Sequence, residues 1–371
     1  MLSEILDNEK LIGQIDKKGM LKTCLRTHEL CYDAVELARK IELPKEYVSP
    51  RNVVFAGMGG SCIGGELLKD WLKDRVNVPM ELCNDYYLPR YVNENSLVFT
   101  ISYSGETEET LSVFVEAAKR KCKILAITSN GHLKTFCEKL NYPYLQIPQG
   151  FAPRAALPYM FFPLAVFMEK TELVSNIDGE IEEAINVVKK LSEENSVNVP
   201  AEKNLAKKLA LELNETIPVI YGFRYYASVA HRWKTQLNEN SKIPCKYEVF
   251  PELNHNEVVG WEKTGDFAKN FAAVLLREQN EPPEIKNRIE ATKQIALQDL
   301  GKIFEVNAIG KTRLAKMFSL LYIGDLVSIY LAILRKVDPW PVETIAKIKQ
   351  VLKERLNLIS KIELEIEELL V

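Results

Sequence analysis

The sequence predicts an α/β fold: two doubly wound parallel sheets, each flanked by helices, with further helices at both ends of the chain. Three observations predict it. Short β-rich runs alternate with amphipathic helical segments from Arg51 onward, the pattern of βαβ units. The first of these runs ends in a glycine cluster that opens a helix. The strand–helix series then starts afresh at Ile217, in a chain of 371 residues that is too long for one ordinary core.

Taken in order, residues 1–50 read as N-terminal helices, with apolar residues at helical spacing over Glu4–Ile15 and His28–Ile41. A first domain is expected over 51–170. Its strands are Asn52–Ala56, Val78–Cys83, Ser96–Ser102, Lys123–Thr128 and Tyr144–Ile147, with helices over Gly65–Leu72 and Glu108–Arg120. Pro79 stands near the start of its strand, where the lost N–H is tolerated. Leu157–Met168 (LPYMFFPLAVFM) reads as a buried helix containing Pro163. A charged helical stretch, 171–205, is expected as a connector. A second domain, 206–335, holds strands Ile217–Tyr221, Lys246–Phe250, Phe271–Leu276 and Lys302–Val306, with helices Tyr225–Glu239 and Arg313–Leu334. The segment 336–371 is a C-terminal helical run with heptad-like apolar spacing, suited to packing on the other domain or on a partner subunit.

Composition narrows the function classes. A net charge of −3 offers no global basic field, so nucleic acid is not an expected partner. No run of about 18 uninterrupted apolar residues appears, so no membrane span is expected. The N-terminus lacks the basic n-region and apolar h-region of a secretion signal. Seven scattered cysteines without CxxC spacing point to reduced thiols in a cytoplasmic protein. With only four histidines, no metal and no cofactor are expected.

Loops after the carboxyl ends of parallel strands are where ligands bind. Gly57-Met58-Gly59-Gly60-Ser61-Cys62-Ile63-Gly64-Gly65 is one such loop. Its glycines permit close backbone approach, and the helix that follows presents free N–H groups to an anion. A dinucleotide loop is the rival: Gly57-x-Gly59-x-x-Cys62 lacks the third glycine, though Asp85 stands where a ribose-binding acid is expected. The P-loop GK[ST] is missing. The second loop, Ser102-Tyr103-Ser104-Gly105-Glu106-Thr107, places three hydroxyls around a glycine at a strand-to-helix junction. Two hydroxyl-bearing loops on one sheet suit a phosphate monoester with three terminal oxygens. The plainer alternative is an ordinary helix cap with Thr107 as capping residue.

GMGGSxIGGE together with SYSGETEET resembles the SIS (sugar isomerase) fold. Three further stretches occur in order: Phe151–Pro158 (FAPRAALP), Lys234–Asn240 (KTQLNEN) and Glu252–Glu257 (ELNHNE). Together they resemble the bifunctional phosphoglucose/phosphomannose isomerases over about Arg51 to Lys353. The resemblance implies two SIS domains, a homodimer with its active site at the domain and subunit boundary, hexose 6-phosphate substrates and no cofactor. By position, Gly59, Gly60, Ser61, Ser102, Ser104 and Thr107 would hold the phosphate. Arg154 would face the reacting end of the sugar, Glu239 would be the base, and His255 would act in ring opening, reaching in from the neighbouring subunit. A lysine of the C-terminal helix would assist; Lys349 is the expected one, with Lys353 on the same helix face. The place of the small hydroxyl residue that leaves room for either C2 epimer falls on Val342 or Thr344.

The chemistry needs such groups. Aldose–ketose isomerisation moves one proton between C2 and C1 through a cis-enediolate, which a single carboxylate can shuttle. The enediolate needs a fixed cation, and a guanidinium remains charged and holds two oxygens. Ring opening suits an imidazole near its pKa. His28, His132 and His231 receive no role in this reading. Two alternatives are weighed. The isomerase half of a glucosamine-6-phosphate synthase would need an N-terminal glutaminase, for which about 50 residues are too few. A non-catalytic SIS-domain sugar-phosphate-binding regulatory protein would keep the loops without needing Arg154, Glu239 and His255 together.

Overall fold

The computed structural model describes residues 2–370. In chain order its helices and strands are α1 (Leu2–Leu6), α2 (Glu9–Ile15), α3 (Met20–Leu25), α4 (Thr27–Arg39), β1 (Asn52–Gly57), α5 (Ile63–Leu72), β2 (Met80–Cys83), β3 (Ser96–Ser102), α6 (Glu108–Lys119), β4 (Lys123–Thr128), α7 (Gly131–Leu140), β5 (Tyr144–Gln146) and α8 (Leu157–Lys170). They continue as α9 (Asp178–Glu194), α10 (Leu205–Leu213), β6 (Ile217–Phe223), α11 (Ala227–Glu239), β7 (Lys246–Phe250), β8 (Phe271–Arg277), α12 (Pro283–Ile295), β9 (Lys302–Asn307), α13 (Arg313–Leu334), α14 (Glu343–Leu356) and α15 (Leu358–Leu369).

The chain forms two compact units that exchange segments. One holds Glu29–Ile177 and the chain from Val342 on; the other holds the chain up to His28 and Asp178–Pro341. The first contains a parallel five-stranded sheet in the order β2-β1-β3-β4-β5. The second contains a parallel four-stranded sheet in the order β7-β6-β8-β9. Both are doubly wound, as the alternating pattern predicts, and each reverses direction beside its first strand.

In the five-stranded unit, strands β1, β3 and β4 are buried almost throughout. They are apolar on both faces because helices cover both. On one face Phe55 stacks on Phe99 at 5.4 Å, and Phe99 on Phe167 of α8 at 6.4 Å. On the other face, Val54, Val98, Ile124 and Ala126 meet Phe114 of α6 and Leu133 and Phe136 of α7. Ile362 and Ile366 of α15 enter that same core. The C-terminal run therefore divides at Asn357, which takes a left-handed φ of 43°. The first helix, α14, buries none of its residues. The second is docked.

In the four-stranded unit, α13 is the central core helix. It packs along α9, α10 and α11. The stretch 171–205, expected as a connector, thus holds in α9 a helix with Ile181, Ala184, Ile185, Val188 and Leu191 buried. By length and composition α13 is apolar enough to cross a membrane, with a mean hydropathy of 2.0 over its 18-residue window. No uninterrupted apolar run is seen there in the sequence because Ser319, Gly324, Asp325 and Ser328 break it. Its whole window is buried inside the protein, so it is satisfied as a core helix.

Candidate active site

The two predicted loops lie at the carboxyl ends of adjacent strands, β1 and β3, where the strand order of the sheet reverses. This is the crevice in which open α/β sheets bind ligands. The first loop leaves β1 through Gly59, whose φ is +53°, and makes a single 3-10 turn, Gly59–Ser61, before α5. Asn84 donates to the Gly57 carbonyl at 2.8 Å and fixes the point of departure. Asp85, which kept the dinucleotide rival open, accepts from its neighbour, the Tyr86 amide, at 2.6 Å.

The second loop folds around its own hydroxyls. The Ser102 and Thr107 hydroxyls share a hydrogen bond at 2.9 Å, and Ser102 Oγ accepts from the Gly105 amide at 3.0 Å. Ser104 Oγ accepts from the Glu106 amide at 3.2 Å. Thr107 occupies the N-cap position of α6, yet its side chain caps no helix amide. The plain capping alternative fails on this geometry: the hydroxyl is turned toward Ser102 and the loop interior.

The loops are joined to each other and to Arg154. Ser61 Oγ accepts from the Tyr103 amide at 3.2 Å. Tyr103 in turn accepts from the Phe151 amide at 2.8 Å and donates to the Pro148 carbonyl at 3.1 Å. That fastens the segment leading into the 3-10 turn Pro153–Ala156. The turn carries Arg154, which is only 2% exposed. A surface arginine would be solvated; this one is held inside a mostly apolar unit, where a guanidinium interacts most strongly with an anion. Gly59, Gly60, Ser61, Ser102, Ser104, Thr107 and Arg154 are therefore brought together in one unit.

A further pair of side chains joins the second loop to the turn after β4, and the sequence gives His132, one of the two, no role. Glu106 turns back onto α7. Its Oε1 accepts from the His132 amide at 3.0 Å, and its Oε2 lies 2.6 Å from His132 Nδ1. Ser129 Oγ donates to the Tyr103 carbonyl at 2.6 Å, and the Leu133 amide donates to the Gly105 carbonyl at 3.1 Å. The β4–α7 turn is thus the buttress of the loop. No single-position signal in the sequence marks it beyond the Ser-Asn-Gly after β4.

Of the remaining predicted residues, Glu239 and His255 belong to the four-stranded unit and Lys349 to the five-stranded one. Glu239 is the last residue of α11, half-buried, and its carbonyl accepts from Lys242 Nζ. Next to it, Asn240 is fully buried and donates to Ser328 Oγ of α13 at 2.9 Å. His255 closes the 3-10 turn after β7 and is exposed. Its turn is anchored on each side. Leu253 is buried, Asn254 donates to Thr292 Oγ1 at 2.7 Å, and the buried Glu257 carboxylate accepts from Tyr221 and from Trp261 Nε1, each at 2.9 Å. Lys349 lies on α14 and is exposed, as is Lys353. Among the described residues no group of three or more His, Cys, Asp or Glu side chains is placed to hold a metal ion.

Comparison with known proteins follows this architecture. The family model for the bacterial phospho-glucose isomerase C-terminal SIS domain matches residues 202–352, and the SIS domain model matches residues 46–136. A bifunctional phosphoglucose/phosphomannose isomerase of Caldicellulosiruptor bescii is 41% identical over 336 residues, covering 90% of this chain and 99% of that protein. One of the same description from Aquifex aeolicus is 37% identical, covering 84% and 94%. Among solved structures, a glucose-6-phosphate isomerase from Chlamydia trachomatis shares the fold with a TM-score of 0.70 at 12% identity, covering 97% of this chain and 86% of that one. At these identities and coverages, the chain belongs to the bifunctional phosphoglucose/phosphomannose isomerase family.

Proposed function

We propose that this protein interconverts glucose 6-phosphate and mannose 6-phosphate with fructose 6-phosphate, working in the cytoplasm as a homodimer without a cofactor. The observation that carries the reading is the joining of both loops to a buried arginine through Ser61, Tyr103 and Phe151. Gly59, Gly60, Ser61, Ser102, Ser104 and Thr107 hold the phosphate. Their hydroxyls and the amides at the starts of α5 and α6 meet its three terminal oxygens. Arg154 neutralises the charge that develops on O1 and O2 as the enediolate forms.

Glu239 moves the proton between C2 and C1 on one face of the enediolate. His255 and Lys349 open the ring, exchanging protons at the ring oxygen and the O1 hydroxyl. Both side chains are exposed. That supports a site completed by a second subunit, as does the apolar stripe of Ile345, Ile348 and Val351 on the uncovered α14. Val342 and Thr344 at the start of α14 are where the choice between C2 epimers is made.

The test is isotopic. In deuterated water, either aldose 6-phosphate yields fructose 6-phosphate with deuterium entering at C2 on reversal. Glu239→Gln retains sugar-phosphate binding and loses at least about 100-fold in kcat, as for removal of a general base. Tight binding with no exchange in the unmodified protein would instead make it a sugar-phosphate sensor. Turnover of glucose 6-phosphate alone would restrict the assignment to one epimer.

A further inference from the structure

Helix α15 lies beyond the family-matched segment, which ends at residue 352. It is nonetheless built into the phosphate-loop unit. Ile362 and Ile366, one turn apart, fill the core between α6 and α7. Charged residues flank that apolar row on both sides. Glu365 pairs with Lys119 of α6 at 2.6 Å, and Glu367 pairs with Lys139 of α7. Glu363 Oε1 lies 3.1 Å from His132 Nε2.

This last contact differs from the other two. The opposite nitrogen of the same ring lies against Glu106, within the second loop itself. A single imidazole therefore joins α15 to the loop carrying Ser102, Ser104 and Thr107. Both ring nitrogens face carboxylates, so both must be donors for the bridge to be complete, which requires the imidazolium. We propose that α15 is a built-in strap on the second phosphate loop, and that His132 is the positioning residue through which the strap holds Glu106 and with it the loop.

The charged groups facing the ring are Glu106 from the loop and Glu363 from α15; from α7 itself the ring meets Phe136. Partial burial pulls the imidazole pKa down, but the two carboxylates outweigh it and the net shift is upward. The bridge is accordingly complete in acid and is lost as pH rises through the raised value.

This inference rests on the reading that Ser102–Thr107 holds phosphate, and the experiment separates the two. Apparent KM and kcat for glucose 6-phosphate are measured from pH 5.5 to 8.5 for the parent, Glu363→Gln, His132→Gln and the control Glu365→Gln. Variant-to-parent ratios remove the titration of the substrate's own phosphate. Amide exchange of segment 102–107 is followed in the same proteins without ligand. Glu363→Gln is expected to raise KM about threefold at pH 6 with kcat unchanged, the gap closing by pH 8.5, as for a part-exposed charge pair. Loop exchange in that variant quickens at pH 6, Glu365→Gln follows the parent, and His132→Gln matches Glu363→Gln at each pH, its gap from the parent likewise closing by pH 8.5. Glu363→Gln indistinguishable from Glu365→Gln in both readouts, or a KM gap independent of pH, would overturn the strap. If the parent does not turn over sugar phosphate, the isomerase reading falls and loop exchange alone decides the strap.

Discussion

A side chain on Gly60 would begin 3.1 Å from the backbone nitrogen of Arg154 and the same distance from the Pro153 carbonyl carbon. The first phosphate loop and the turn that carries the arginine are thus in backbone contact, with only a hydrogen at the contact point. Both neighbours are main chain, so neither can give way by a rotamer change.

Gly60→Ala should therefore move the loop away from Arg154. The overpacking is of the kind that costs about 1–3 kcal/mol. Its main expression should be a KM for sugar phosphate raised about tenfold or more, with a smaller fall in melting temperature. Steady-state kinetics and a thermal scan check it. Unchanged KM would mean that the loop and the arginine turn do not act on one substrate.

Arg232 and Asp325 form a two-pronged ion pair between α11 and α13, with Nε–Oδ1 at 3.0 Å and Nη2–Oδ2 at 2.9 Å, and Arg232 is almost wholly buried. Asp325→Ala removes this carboxylate from a desolvated guanidinium, which should destabilise by about 3–5 kcal/mol. The same helix pair holds Asn240, the neighbour of Glu239, so kcat should fall with stability. Chemical denaturation and kcat, measured together, check both.

Glu183 of α9 accepts from the Lys311 amide at 2.7 Å and the Thr312 amide at 2.9 Å at the start of α13. Burial works to raise its pKa, but the amides, the Thr312 side chain and the Lys311 charge outweigh it, so the carboxyl is held below its ordinary value. A carboxyl lowered by folding stabilises the native state above its unfolded pKa, and that contribution disappears as pH falls through the lowered value. Glu183→Gln should thus lower the melting temperature at pH 7 and narrow the difference from the parent in the acid range. Melting curves from pH 3 to 7 check it.

All seven cysteines are free, and six are buried. Burial pushes the Cys62 thiol, next to Ser61, up to about 12 and Cys122 up to about 11. Since the thiolate is the nucleophile, a disulfide reagent at pH 7.5 should modify the folded protein slowly. All seven thiols should titrate at once in denaturant. Rapid modification of Cys62 in the native state would contradict the packing of the first loop.

The strands were legible because covered parallel strands are short, continuously apolar and end in turn residues; Ser96–Ser102 and Lys123–Thr128 match the observed spans residue for residue. The phosphate loops were legible for a related reason: glycines and hydroxyls sit within a few residues of each other. What joins them was not. Tyr103 reaches Phe151 across 48 positions, and His132 reaches Glu363 across 231. Such pairs carry no local pattern, because their partners are far apart in the chain. The apolar face of the C-terminal run was visible from its spacing, but spacing cannot say which half docks. The break at Asn357 separates the two halves. Glu239 and His255 lie on segments whose local chemistry is unremarkable, and only their flanking motifs drew attention to them.

The exchange of segments between the two units bears on how the chain must be made. The sheet of the first unit, Asn52–Gln146, is made before the second sheet begins, but the slot for Ile362 and Ile366 is filled only by residues that follow the second sheet in the chain. Until then the hydrophobic groove between α6 and α7 stands open. The nascent protein carries that groove through the whole synthesis of its second sheet, and the first unit closes only after that sheet has been made.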